Sequence, residues 1–158
     1  MSHYEEIVAE YLCFERTRFV SPGFNLDLGG AGPLGKGRNW WIDVLAVDFK
    51  DETIYLCEAT FAQHPSYMFR RLRAWAGMWS EIRENLFHVT HVPNSWHVVP
   101  WIFAPANLES KIKQGISTIP NCPFDCKWKS FEEIVPWKRP QYSAIAAAEK
   151  KAREEAGP

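Results

Sequence analysis

The chain lacks an excess of charge of either sign: 18 basic residues stand against 19 acidic ones, for a net charge of -1. That excludes an overall cationic field as the means of holding nucleic acid, so any such contact must come from a local patch. Long hydrophobic runs are missing too. No window approaches the roughly 18 uncharged apolar residues of a membrane span, and no basic start followed by an apolar core is present, so a cytoplasmic protein with no membrane partner is expected. Cysteine is scarce, at four. Cys13 falls in a helical pattern and Cys57 in an apolar strand, so reduced thiols are expected rather than disulfides. Cys122 and Cys126, with His88, His91 and His97 as further ligands, are loosely metal-like. The CxxxC spacing lacks the usual two-residue gap and a second matching pair, which weighs against a structural zinc. No internal repeat and no composition break divides the chain, so one domain over 158 residues is expected.

What the chain does have is aromatic weight: eight tryptophans and ten phenylalanines, within a 46% hydrophobic total, suffice for a real core. Ser2 and Glu5 have the spacing of a capping box. The apolar positions from Tyr4 to Phe19 predict a helix that Pro22-Gly23 ends. Residues 24–28 alternate as a strand. Residues 29–38 hold five glycines and a proline, which predicts a mobile loop delivering Lys36 and Arg38 to the mouth of the next hairpin. A phosphate-binding P-loop is excluded there, because Lys36 is followed by Gly37 and a strand instead of a helix.

Farther on, Pro65 stands in the first turn of a long helix with the apolar stripe Met68, Leu72, Trp75, Trp79, Ile82 and Leu86. Residues 88–93 read as a turn and 96–103 as a strand in which Pro100 marks an edge or a bulge. Residues 108–113 read as a short helix, 116–119 as a brief strand, 131–135 as one or two helical turns, and 144–154 as a peripheral helix.

The organising stretch is a hairpin. Residues 41–49 and 53–61 are apolar on both alternating faces, the pattern of strands covered on two sides, and each is interrupted by one acid, Asp43 and Glu58. A two-residue loop at Lys50-Asp51 places the two acids directly opposite each other. A loop shifted by one leaves them diagonal neighbours on the same face, and only an odd-length loop or a bulge would part them. Two carboxylates on a covered face are costly, since burial and mutual repulsion both raise their pKa values. A divalent cation removes both penalties. Oxygen ligands of this kind suit Mg²⁺ or Mn²⁺, which can activate water and stabilise the leaving oxygen in phosphodiester hydrolysis. Arg70, Arg71 and Arg73, within one turn of the following helix, read either as a solvated face or as phosphate contacts.

Helix, strand, acid-bearing hairpin, long helix and strand give an α/β sandwich with a central mixed sheet flanked by helices. With its acids so placed, the chain resembles the restriction-endonuclease-like PD-(D/E)XK phosphodiesterase superfamily. That family has an α-β-β-β-α-β core, an Asp at the start of the second strand and a Glu-x-Lys on the third. Ile42-Asp43 matches the Pro-Asp, Glu58-Ala59-Thr60 matches the Glu-x-Lys, and Glu5, seven residues before Leu12, fits the acid that many members carry on the first helix. The likeness covers residues 1–104, leaving 105–158 as a C-terminal extension. It implies a metal-dependent nuclease with Asp43 and Glu58 as Mg²⁺ or Mn²⁺ ligands and Thr60 near the attacking water. Lys36, Arg38, Arg70, Arg71 and Arg73 would then grip DNA or RNA.

Two positions depart from the pattern: Ile42 replaces the proline, and Thr60 replaces the lysine that offsets charge on the phosphate. Lys36, Arg38, Arg70 or Arg71 would have to supply that charge in space. Three readings stay open: an active nuclease; a catalytically inactive module of the same fold that binds nucleic acid or a protein partner; and strand-edge acids bonded to backbone or to arginines. An exposed aromatic strand at residues 96–101 would serve a homodimer.

Overall fold

The computed structural model describes residues 2–28, 39–135 and Lys151. The glycine-rich loop with Lys36 and Arg38, and all but Lys151 of the helix expected at 144–154, lie outside the described residues.

Ser2 begins the first helix, α1 (His3–Cys13), by the expected capping box: its Oγ accepts the N–H of Glu5, and the Glu5 carboxylate accepts the N–H of Ser2 at 3.0 Å. The helix ends at Cys13, earlier than its apolar stripe implied, because Phe19 and Val20 already belong to β1 (Arg18–Asp27). Pro22-Gly23, expected to stop a helix, sits inside that strand. β1 is a sheet edge, where the N–H that proline lacks has no partner to lose. Gly23 has φ of 63°, a left-handed conformation that suits glycine.

Among the described residues β1, β2 (Asn39–Asp48), β3 (Thr53–Ala59), β4 (His97–Ala104) and β5 (Lys127–Ser130) form one mixed sheet in that order. β1, β2 and β3 run antiparallel in turn, while β4 lies parallel to β3 and β5 parallel to β4. The hairpin register is the expected one, with Val44 opposite Cys57 and Asp48 opposite Thr53. Its connection is four residues, 49–52, where two were expected, and Glu52 turns it at φ of 50°. Pro100 lies opposite Leu56 of β3, and β5 joins β4 only from Trp101, so the strand is locally an edge at the proline. From Trp101 on, β4 is interior. Trp101 is buried, so the exposed aromatic strand expected at residues 96–101 is largely covered by its neighbours.

The single long helix expected after the hairpin is two, α2 (Ser66–Gly77) and α3 (Trp79–Thr90), broken where Met78 takes φ of -123°. α3 also absorbs residues 88–90, read as a turn. α4 (Glu109–Ser117) runs through the place of the strand expected at 116–119, β5 is a strand that was not anticipated, and α5 (Phe131–Ile134) is the expected short helix.

Two apolar layers hold the sheet. On one face Val8 and Leu12 of α1, with Phe131 and Ile134 of α5, join Val44, Cys57 and Phe103. On the other, Leu72 and Trp75 of α2, Ile82 and Leu86 of α3 and Ile112 of α4 join Leu45, Leu56 and Ile102. Ile42 and Val44, two apart, lie in different layers, as do Val20 and Phe24. The alternation of β1 and β2 therefore reverses at one shared point, between Pro22↔Val44 and Phe24↔Ile42, where Gly23 and Asp43 sit. Among the described residues no helix is long and apolar enough to cross a membrane.

Candidate functional site

At that reversal the β2–β3 ladder stops. Its last pair is Val44↔Cys57, and the next N–H of β3 that points toward β2, on Ala59, donates at 2.9 Å to Asp43 Oδ2. The side-chain carboxylate thus replaces a backbone carbonyl. The change of face comes on the Ile42 side of Asp43, so it leaves Asp43 on the same side of the sheet as Glu58.

The cation between them comes from α2. Arg71 donates through a single nitrogen to Asp43 Oδ1 at 2.9 Å and to Glu58 Oε1 and Oε2 at 2.7 and 2.6 Å. Three carboxylate oxygens therefore converge on one point. Glu58 is buried at 3% side-chain exposure, whereas Asp43 and Arg71 each keep 16% and open outward. Burial, and then the Asp43 charge, push the Glu58 carboxyl well above the ordinary range, with Arg71 opposing them. For Arg71, burial alone would lower the pKa, but the facing Glu58 and Asp43 carboxylates outweigh it and hold the guanidinium charged. One guanidinium faces two acids, so the Asp43 charge adds to burial in raising Glu58.

The phase of α2 explains why Arg71, alone of the three arginines, reaches the acids. It stands three residues after Met68 and four before Trp75, on the flank of the buried stripe. Arg70 and Arg73 are exposed, and Arg70 lies over the Tyr67 ring at 5.5 Å. Thr60 spends its hydroxyl on the loop: Oγ1 accepts the Ala62 N–H at 3.3 Å, and the Thr60 N–H donates to Phe103 O.

On the outer side of Asp43 lies an open cleft of about 530 Å³ lined by Glu5, Pro22, Gly23, Trp41, Ile42 and Asp43. Glu5 thus shares a cleft with Asp43 while its carboxylate serves the helix cap. Trp41, 48% exposed, was not anticipated as a site residue. The only signal in the sequence was its position two residues before Asp43.

Hard carboxylate oxygens converging on one point are the donor chemistry of Mg²⁺ or Mn²⁺. Arg71 holds that point, and among the described residues no cluster of three or more His, Cys, Asp or Glu side chains is arranged to take an ion. The donor set accommodates a dication only by exchange with the guanidinium. Cys122 and Cys126 are unpaired thiols. Cys122 Sγ donates to Phe124 O at 3.2 Å, and burial, then the nearby Cys122, push Cys126 up to about 12. Such a thiol resists forming the thiolate that zinc requires. Comparisons with family models, with curated proteins and with solved structures found no match to this chain.

Proposed function

We propose that the chain is a metal-dependent phosphodiesterase of the restriction-endonuclease-like kind, acting on nucleic acid, in which Arg71 supplies from a helix the positive charge that Thr60 does not supply from the strand. The observation that carries this reading is the convergence of Asp43 and Glu58 on one nitrogen of Arg71. Three antiparallel strands, a helical crossover and a parallel strand, with the acids on the second and third strands, support it as well. Asp43 and Glu58 would hold the ion, whose chemistry when bound is to activate water and stabilise the leaving oxygen. Two carboxylates against one guanidinium favour a doubly charged replacement. Arg71, released from the acids but still on α2, can then donate two parallel hydrogen bonds to a phosphate, which a lysine cannot do.

A second reading has an observation of its own. Arg71 meets both Glu58 oxygens, and Ala59 completes Asp43, so the acids are satisfied with no ion at all. That is the arrangement of strand-edge acids bonded to backbone and to an arginine, which an inactive module of the same fold would also keep. Melting temperatures with Mg²⁺, Mn²⁺ or chelator decide between them. Arg71→Met leaves two unpaired acids and costs about 3–5 kcal/mol at neutral pH. On the first reading Mn²⁺ restores about 2–3 kcal/mol of it at a hundredfold excess over Kd, the wild type gains less, and Asp43→Asn with Glu58→Gln gains nothing. The wild type also cleaves labelled DNA or RNA in Mn²⁺. If neither ion stabilises wild type or Arg71→Met, or if metal binds and every labelled strand survives, the inactive module stands instead.

A further inference from the structure

We infer that this site takes single-stranded nucleic acid in preference to duplex, holding it by stacking unpaired bases on three exposed aromatic platforms, each close in the chain to a residue of the site. The inference rests on the reading that the acids face a phosphodiester, but its observations are separate.

The platforms come from three different elements. Trp41 of β2, half exposed, lies in the same cleft as Asp43, its ring edge 4.0 Å from where a Cβ on Gly23 would stand. Tyr4, beside Glu5 on α1, stacks on Phe61, one residue beyond Thr60, with ring centroids 4.1 Å apart and planes inclined by 20°. Phe61 packs in turn at 4.9 Å on Phe131, which is buried, so this pair is anchored to the core. Tyr67, 67% exposed, precedes Arg71 by one helical turn and carries the Arg70 guanidinium. Large aromatic surface left in water at these places is a cost to the folded chain that a stacked base would remove.

The choice of single strand follows from what a base offers. In a duplex both faces of each base are covered by neighbours, so an aromatic ring finds nothing to stack on. Duplex recognition leans instead on a broad basic surface over the dense phosphate charge, and a net charge of -1 supplies no overall cationic field for it. Exposed Arg70 and Arg73 suffice for a few phosphates along one strand.

The test uses the full-length chain in chelator, where nothing is cleaved, with fluorescein-labelled oligothymidylate, oligouridylate and a duplex of equal length, about 20 nucleotides, enough for one such groove. Anisotropy should show binding to one or both single strands at least tenfold tighter than to the duplex, and comparison of the two single strands separates DNA from RNA. Trp41→Ala and Tyr67→Ala should each weaken single-strand binding about tenfold, in line with the loss of one stacked base. Phe49→Ala, at a ring 56% exposed on the hairpin turn, should leave it unchanged. Duplex bound as tightly as single strand, no binding to any probe, or Trp41→Ala and Tyr67→Ala no weaker than Phe49→Ala would each overturn the inference. Single-strand binding without metal stabilisation or cleavage would remove the phosphodiesterase reading alone, and cleavage with no strand preference would remove this inference alone.

Discussion

Asp48 shows how a buried acid is settled in this chain when nothing is left for a ligand to do. Arg18 Nε donates to one of its oxygens at 2.6 Å, and the N–H groups of Lys50 and Asp51 donate to the other at 3.0 and 3.2 Å, tying β1 to the hairpin turn. Burial alone would raise its pKa, but these donors outweigh it and hold the carboxyl below the ordinary 3.8. An acid held below its unfolded value stabilises the fold above that value and loses the contribution as pH falls through the folded one. Asp48→Asn should therefore cost about 2–4 kcal/mol near neutrality, and its gap from wild type should close progressively below about pH 4, as read by denaturant melts across pH. A gap independent of pH would mean that shape, and not charge, does the holding. Glu58 is shifted the opposite way with an arginine just as close, first because it is more deeply buried and then because the Asp43 charge faces it across the shared arginine. The facing of the two acids was legible from the hairpin pattern. That Arg71 would reach them was legible only in part, since the stripe phase singles it out but no sequence pattern gives the distance between helix and strand.

Two helical glycines give opposite answers to the same change. Gly77 closes α2, and a Cβ there would meet nothing within 4 Å, so Gly77→Ala should stabilise by about 0.5–1 kcal/mol. Gly115 of α4 faces Phe69 of α2, and a Cβ would overlap that ring, so Gly115→Ala should destabilise by about 1–3 kcal/mol as the ring is driven from the seam. Thermal melts of the two variants read both signs. The break between α2 and α3 was not legible, because Trp75, Trp79 and Ile82 keep the stripe in phase across it; only the backbone at Met78 departs. The early start of β1 was hidden in a similar way. Phe19 fits the helical period of α1, and Pro22-Gly23 signals a stop anywhere except on a sheet edge. β5, Lys-Trp-Lys-Ser, is too short and too charged to show an alternation, and its parallel pairing with β4 is what makes it a strand.

Across the described molecule, residues 105–135 are woven into the core. α4 contributes Ile112 to one layer, α5 contributes Phe131 and Ile134 to the other, and β5 closes the edge of β4. A chain cut after Ala104 should lose its cooperative melt and its near-ultraviolet dichroism, since both apolar layers would be opened and β4 left as an uncovered edge. Retention of a sharp transition would show residues 1–104 to be self-sufficient. The acid pair also ties these parts to one another: the two acids of the β2–β3 hairpin repel each other, and the charge that holds them comes from outside the hairpin, on Arg71 of α2. Hairpin and helix are therefore each other's counterion, and neither keeps the contact without the other.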